Sequence, residues 1–201
     1  MGSLHRLAVV CGLTALVATA VHAEDWQTAK DEDGIKVSLA VVPGSDYKAY
    51  RGVTTIKASI AKIRALQEDV AGACTWTHEC KLQKLLKHEG DKAWTYTQFN
   101  TPWPVTPRDS VLEITTVQGA DGSLTRNLEE VPTYLPPEKG FVRVAQVQGF
   151  WKLVPKGADS TEVTYQVHTE PGGSVPSFVA NKFVVEAPFN TLKELRTRAE
   201  Q

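Results

Sequence analysis

From residue 141 onward the sequence leaves little freedom of architecture. Phe141 to Val154 and Thr161 to Thr169 are two long extended runs joined by the polar turn Lys156-Gly157-Ala158-Asp159-Ser160. Pro171-Gly172-Gly173-Ser174-Val175-Pro176 then leads into one helical pattern that continues to about Arg198. Glycines before a helix and proline at its start suit that transition. The helix carries Phe178, Val179, Phe183, Val184, Ala187, Leu192 and Leu195 as a broad apolar stripe, with Lys182, Glu186, Lys193, Glu194 and Arg196 left for solvent. A stripe that arrives straight after long strands is buried against the sheet they build. The spacing therefore predicts a sheet with a terminal helix as its lid, and Pro188 predicts a kink partway along that helix.

Alternation along the first run sorts its side chains. One face carries Phe141, Arg143, Ala145, Val147, Gly149, Trp151 and Leu153; the other carries Val142, Val144, Gln146, Gln148, Phe150, Lys152 and Val154. The first face is the more apolar and reads as inward, which puts Arg143 inside or at a rim. An arginine there must be paired or wet, since a lone buried one costs several kcal/mol. A structural ion pair and a ligand contact both meet that need.

Earlier segments supply the rest of the sheet. Gly34 to Leu39 and Tyr47 to Ile56 read as strands around the turn Pro43-Gly44-Ser45-Asp46. Ser59 is placed to cap an amphipathic helix through Ile60, Ile63, Ala65, Leu66 and Val70. Lys81 to His88, Ala93 to Phe99 and Ser110 to Val117 look extended, and Ala120-Asp121-Gly122-Ser123 turns the chain into a further strand, Leu124 to Val131. Tyr134 to Gly140 read as a loop. No repeat, low-complexity run or linker divides residues 24–201.

The first 23 residues read as an export signal. Arg6 precedes the mainly apolar Leu7 to Val21, and Val21-His22-Ala23 is a small-x-small cleavage pattern followed by Glu24 and Asp25. The expected product is a secreted or periplasmic protein, soluble once cut, beginning at residue 24. Cys11 leaves with the signal, while Cys74 and Cys80 remain. In an exported chain the first reading of that pair is a disulfide, stabilising by roughly 2 kcal/mol for so short a loop. Two free thiols, or a metal site completed by His78, are the alternatives. A formal net charge of −1 with both signs interspersed excludes the dense basic footprint that nucleic acid requires.

Several motifs occur in a telling order: Trp26 and Asp33-Gly34-Ile35-Lys36-Val37; Tyr47-Lys48-Ala49-Tyr50-Arg51-Gly52; Pro102-Trp103-Pro104-Val105 with Pro107-Arg108-Asp109; Pro137-Glu138 ahead of Gly140-Phe141-Val142-Arg143; Gly149-Phe150-Trp151; Thr161-Glu162-Val163-Thr164-Tyr165; and Pro171-Gly172-Gly173 through Val175-Pro176 to Ala180-Asn181. Together, from Trp26 to Arg196, they resemble the START (steroidogenic acute regulatory-related lipid transfer) domain in its compact exported bacterial form. The resemblance implies an α+β helix-grip fold (START/Bet v 1-like), with a curved antiparallel sheet around a long C-terminal helix enclosing an apolar tunnel. It further implies binding of one lipid, fatty acid or sterol-like ligand, and the chain is expected to act as a non-enzymatic, monomeric carrier. Such a carrier touches membranes transiently and uses no metal or organic cofactor.

Carried over position by position, Arg108 and Asp109 fall on the family's Arg-Asp pair, Arg143 on its strand arginine, and Phe178, Val179 and Phe183 on the tunnel side of the helix. Trp76, Tyr96, Trp151 and Tyr165 are further tunnel candidates, with core packing an equal explanation of Trp76, Tyr96 and Tyr165. The acidic/basic pair that sterol-binding members can carry falls on Thr95 and Ile114, so a sterol hydroxyl held by that pair is not expected. A lipid tail of about 16 carbons gains roughly 13 kcal/mol from leaving water. Only an enclosed space gives it that, and entry then needs an opening lid, for which Pro188 and Gly172-Gly173 are the expected hinges.

Enzyme signatures are sparse. No Gly-x-Ser-x-Gly, His-Glu-x-x-His, Walker or dinucleotide-binding pattern occurs. His168, on a long strand, is the one histidine placed to act as a base in a cavity enzyme, and a carrier that never releases its ligand would be a sensor. Trp103, flanked by prolines, is expected to pack into its turn, because a single aromatic makes a poor membrane anchor.

Overall fold

Alternating apolar and polar residues dictate extended backbone over a series of long runs, and the computed structural model bears this out. It describes residues 25–201 except Pro176, and omits the side chains of Ser177, Phe178 and Asn181. The expected signal peptide, residues 1–23, lies outside these. The strands are β1 (Gln27–Glu32), β2 (Ile35–Ala40), β3 (Ala49–Ile56), β4 (Cys80–Glu89), β5 (Lys92–Phe99), β6 (Arg108–Gln118), β7 (Leu124–Glu130), β8 (Val142–Arg143), β9 (Gln146–Pro155) and β10 (Thr161–Glu170). Two helices, α1 (Ile60–Glu68) and α2 (Ser177–Ala199), and a 3-10 turn at Ala73–Thr75 complete the architecture.

The strands form one curved sheet in the order β1-β2-β3-β10-β9-β7-β6-β5-β4, antiparallel throughout this path, with β8 pairing parallel to β6 off it. β1 escapes sequence patterning because Gln27-Thr28-Ala29-Lys30-Asp31-Glu32 has no apolar face to bury; it is an edge strand held by its ladder with β2. The expected single strand from Phe141 to Val154 is divided. Val142 and Arg143 register against Arg108 and Asp109 of β6, whereas from Gln146 the chain pairs with β10. Val144 N–H still donates to Asp109 and Ala145 N–H already donates to Glu170, so the switch of partner takes two residues.

Ser59 caps α1 by accepting from the Lys62 N–H at 3.3 Å. α2 lies on β2 and β3 at its C-terminal half. There Leu192, Leu195, Phe189 and Ala199 join Ile35, Val37, Ile56 and Ile63 in the solid core. Close approach needs Gly52, where an added Cβ would stand 2.6 Å from Leu192 Cδ1 and 3.4 Å from Pro188 Cβ. Polar ties hold the same end. Lys193 Nζ lies 3.0 Å from Asp33 Oδ2, Arg196 Nη1 donates to the Asp33 carbonyl at 2.7 Å, and Lys57 N–H donates to Glu200 at 2.9 Å. Among the described residues no helix is long and apolar enough to cross a membrane.

Candidate functional site

The N-terminal half of α2 stands off the sheet, and the space beneath it is a cavity of about 190 Å³. Residues paired across antiparallel strands share a face, so the ladders define its walls. Tyr165, Val167 and Thr169 of β10, Val147 of β9, Leu128 of β7, and Ser110 and Leu112 of β6 face it from the sheet, and Val179, Phe183, Val184 and Ala187 face it from α2. The lining is overwhelmingly apolar. Its mouth lies where Tyr47 and Lys48, the loop of residues 100–107, and the approach 171–175 to α2 come together.

The floor is built by stacking. Tyr165 lies flat against Trp151, with ring centroids 3.8 Å apart and planes 7° from parallel. Trp76 meets Trp151 edge-on at 6.1 Å. Tyr50 and Tyr165, both cavity-lining, share a hydrogen bond of 3.1 Å between hydroxyls. Burial pushes both phenols' pKa values up, so both stay protonated.

Cys74 and Cys80 are joined as a disulfide, as the sequence first suggested. It closes the short loop that sets Thr77 and His78 against the cavity. His78 is fixed there by its N–H donating to Thr191 Oγ1 at 3.1 Å and by Asn190 Nδ2 at 3.3 Å from its Nδ1. Among the described residues no cluster suited to a metal ion is present.

The expected site residues divide. Arg108, Tyr165, Val179 and Phe183 line the cavity, and Phe183, at 37% exposure, is also its lid's partly open edge. Trp151, the ladder partner of Tyr165, and Trp76 do not line the cavity but pack in the core beside it. Tyr96 and Arg143 lie on the opposite face. Tyr96 and Asp109 alternate with the inward Thr97 and Ser110, and Tyr96 donates its hydroxyl to Asp109 at 3.1 Å. Arg143 grips Asp109 through Nε and Nη2, both at 2.9 Å, and donates to the carbonyls of Pro132, Leu135 and Pro136. Of the two readings of Arg143, the ion pair is therefore the one formed. The Phe178 side chain is outside the described residues. Thr95 and Ile114 line a second cavity of about 160 Å³, where the buried Arg126 donates to Gln67 Oε1 at 3.2 Å.

Sequence reasoning missed Glu130, which sits beside this wall. Its ladder partner is Leu112, its carboxylate accepts from the Ser110 hydroxyl and the Val111 N–H, and burial raises its pKa to about 7 against the pull of those donors and of Arg143. Its only signal was a glutamate in an otherwise alternating strand. Trp103 corrects an expectation: it is 92% exposed at the tip of the 100–107 loop, because Thr101 Oγ1 and Val105 close the turn beneath it. His168 faces away from the cavity, its Nε2 3.1 Å from Ser45 Oγ and 3.5 Å from Glu170 Oε1. Ser45 also bonds Glu170 directly and His168 meets both through the same nitrogen, so His168 does not bridge serine and carboxylate as nucleophilic relays require.

A helix gripped by a curved sheet over an enclosed apolar chamber defines a helix-grip container. A START domain family model matches residues 14–201, and the chain belongs to that family. It is 58% identical over 201 residues to an uncharacterized protein of Pseudomonas aeruginosa, covering 100% of both chains. The crystal structure of a STAR-related lipid transfer protein from Xanthomonas axonopodis shares 41% identity with a TM-score of 0.82, over 88% of this chain and 99% of that one. Human StAR-related lipid transfer protein 5 has the same fold, with a TM-score of 0.79 at 19% identity, over 88% of this chain and 86% of that one.

Proposed function

We propose that this protein binds a single lipid or similar apolar molecule in the chamber under α2 and carries it between membranes, without chemical change to it. The observation that carries this reading is the chamber itself: an apolar hollow of about 190 Å³ roofed by the N-terminal half of one helix. That volume exceeds the roughly 150 Å³ known to admit benzene in a protein core, yet falls below the about 300–1,000 Å³ of ordinary ligand pockets. The closed form thus houses a segment of a hydrocarbon chain, and a full tail enters when the lid moves. Gly172 and Gly173, at φ of +68° and +59°, take conformations few other residues tolerate and form the hinge at its free end.

The relatives named for lipid transfer support the same reading. So does the disulfide, which favours an exported protein whose residues 1–23 are removed as a signal. Trp103 makes transient membrane contact beside the mouth, and the working unit is a monomer. Native mass spectrometry of the exported protein tests the reading directly. The expected result is one apolar ligand per chain, recovered unchanged, delivered from donor to acceptor vesicles, and lost when Val179→Trp fills the chamber. Ligand bound but never delivered indicates a sensor; ligand chemically converted indicates a cavity enzyme.

A further inference from the structure

We propose that the ligand is an amphiphile whose oxyanion head, a carboxylate or a phosphate, binds Arg108 at the mouth while its tail lies beneath the lid; this rests on the carrier reading above. Arg108 is 6% exposed and lines the chamber. Among the described residues no carboxylate pairs with it. Its Nη1 donates to the Thr106 carbonyl, its Nη2 to those of Gly172 at 3.1 Å and Ser174 at 3.4 Å, and its Nε has no partner. A guanidinium offers five donors in a planar fork that matches carboxylate or phosphate. Three are taken by neutral carbonyls, so both charge and hydrogen-bonding capacity remain for an anion.

The surroundings agree. Among the described residues no Asp or Glu lines the chamber, whereas Lys48 stands at the same mouth and His78 on the wall. Burial without a compensating carboxylate lowers the Arg108 pKa, the signature of a cation that its own protein does not neutralise. Arg143, on the strand paired beside it, shows the contrast, since it has both its carboxylate and its carbonyls. The carbonyls that hold Arg108 belong to the mouth loop and to the approach to α2, so a head bound there sits at the hinge.

The test compares three probes of one chain length by tryptophan fluorescence, using the proximity of Trp151 to the floor: palmitate, hexadecyl phosphate and hexadecanol. The wild type is expected to bind at least one anion about tenfold or more tightly than the alcohol, and the tighter anion identifies the head. Arg108→Gln should remove that margin while changing hexadecanol affinity less than about threefold. Should Arg108→Gln fold poorly, Gly173→Asp serves instead. A Cβ at Gly173 lies 3.8 Å from Arg108 Nη2, and Asp tolerates that backbone, so an internal carboxylate would compete with the anions but Gly173→Asn would not.

Equal wild-type affinity for all three probes overturns the head assignment, as does equal weakening of all three by Arg108→Gln and Gly173→Asp. If none of the three binds but another apolar molecule does, this inference falls and the carrier reading stands. If nothing apolar binds at all, both fall.

Discussion

Arg108 and Asp109 are adjacent in the chain and face opposite sides of the sheet. Asp109 is bound on the outer face by Arg143, at 2.9 Å through each of two nitrogens, while Arg108 turns into the chamber with carbonyls alone for company. What reads in sequence as a charge pair is two separate devices, one structural and one left open. Removing the Arg143 head strands Asp109, which is buried almost completely. Arg143→Met should therefore destabilise by about 3 kcal/mol, and Arg108→Met by much less, because no carboxylate is stranded. Urea denaturation of both variants checks the order.

Glu130 makes stability depend on pH. Its folded pKa of about 7 lies above the ordinary value of 4.5, so the folded chain holds a proton that the unfolded chain releases. Its contribution is full below about pH 4.5, declines as pH rises, and levels off above about pH 7. Glu130→Gln should flatten that decline, raising stability at pH 8 relative to pH 5 by on the order of 2 kcal/mol compared with the wild type.

Gly52 sets how closely the lid's anchored half can approach. Gly52→Val would drive a side chain into Leu192 and Pro188, and overpacking of this kind costs about 1–3 kcal/mol. The expected outcome is a lower melting temperature together with faster ligand exchange, because a displaced α2 also unseats its free end. A stopped-flow exchange assay measures the second effect.

Reducing or replacing the Cys74–Cys80 bridge should cost about 2 kcal/mol. The Cys74→Ser/Cys80→Ser variant is also expected to weaken ligand binding, since the loop it closes carries Thr77 and His78 to the chamber wall. Calorimetric melting and binding, measured side by side, check both parts.

Much of this molecule could be read from its residues. The long β10 and the inward face of β9, Val147 to Leu153, followed from alternation, and α2 followed from its stripe and its Gly-Gly-Ser-Val-Pro approach. Where reading failed, the deciding contact came from far away in sequence. Arg143 leaves the β9 direction because Asp109, 34 residues earlier, holds it. Tyr96 turns outward because Thr95 and Thr97 register with Leu112 and Ser110. Trp103 stays in solvent because the turn beneath it closes without its ring. Glu130 carried only its place in an alternating strand as a mark, since its raised pKa comes from burial that only the folded sheet supplies.

The proposed lid packs into the solid core at its far end and spans the chamber at its near one, the arrangement of a lever. Leu192 stands about 22 Å along the helix axis from Ser177 at 1.5 Å per residue. A tilt of about 10° at that pivot, small enough to preserve core contacts, sweeps the tip through roughly 4 Å. Modest give at the fulcrum would thereby be amplified into a gap wide enough for an alkyl chain, and the proposed carrier would load and unload without unfolding any part of itself.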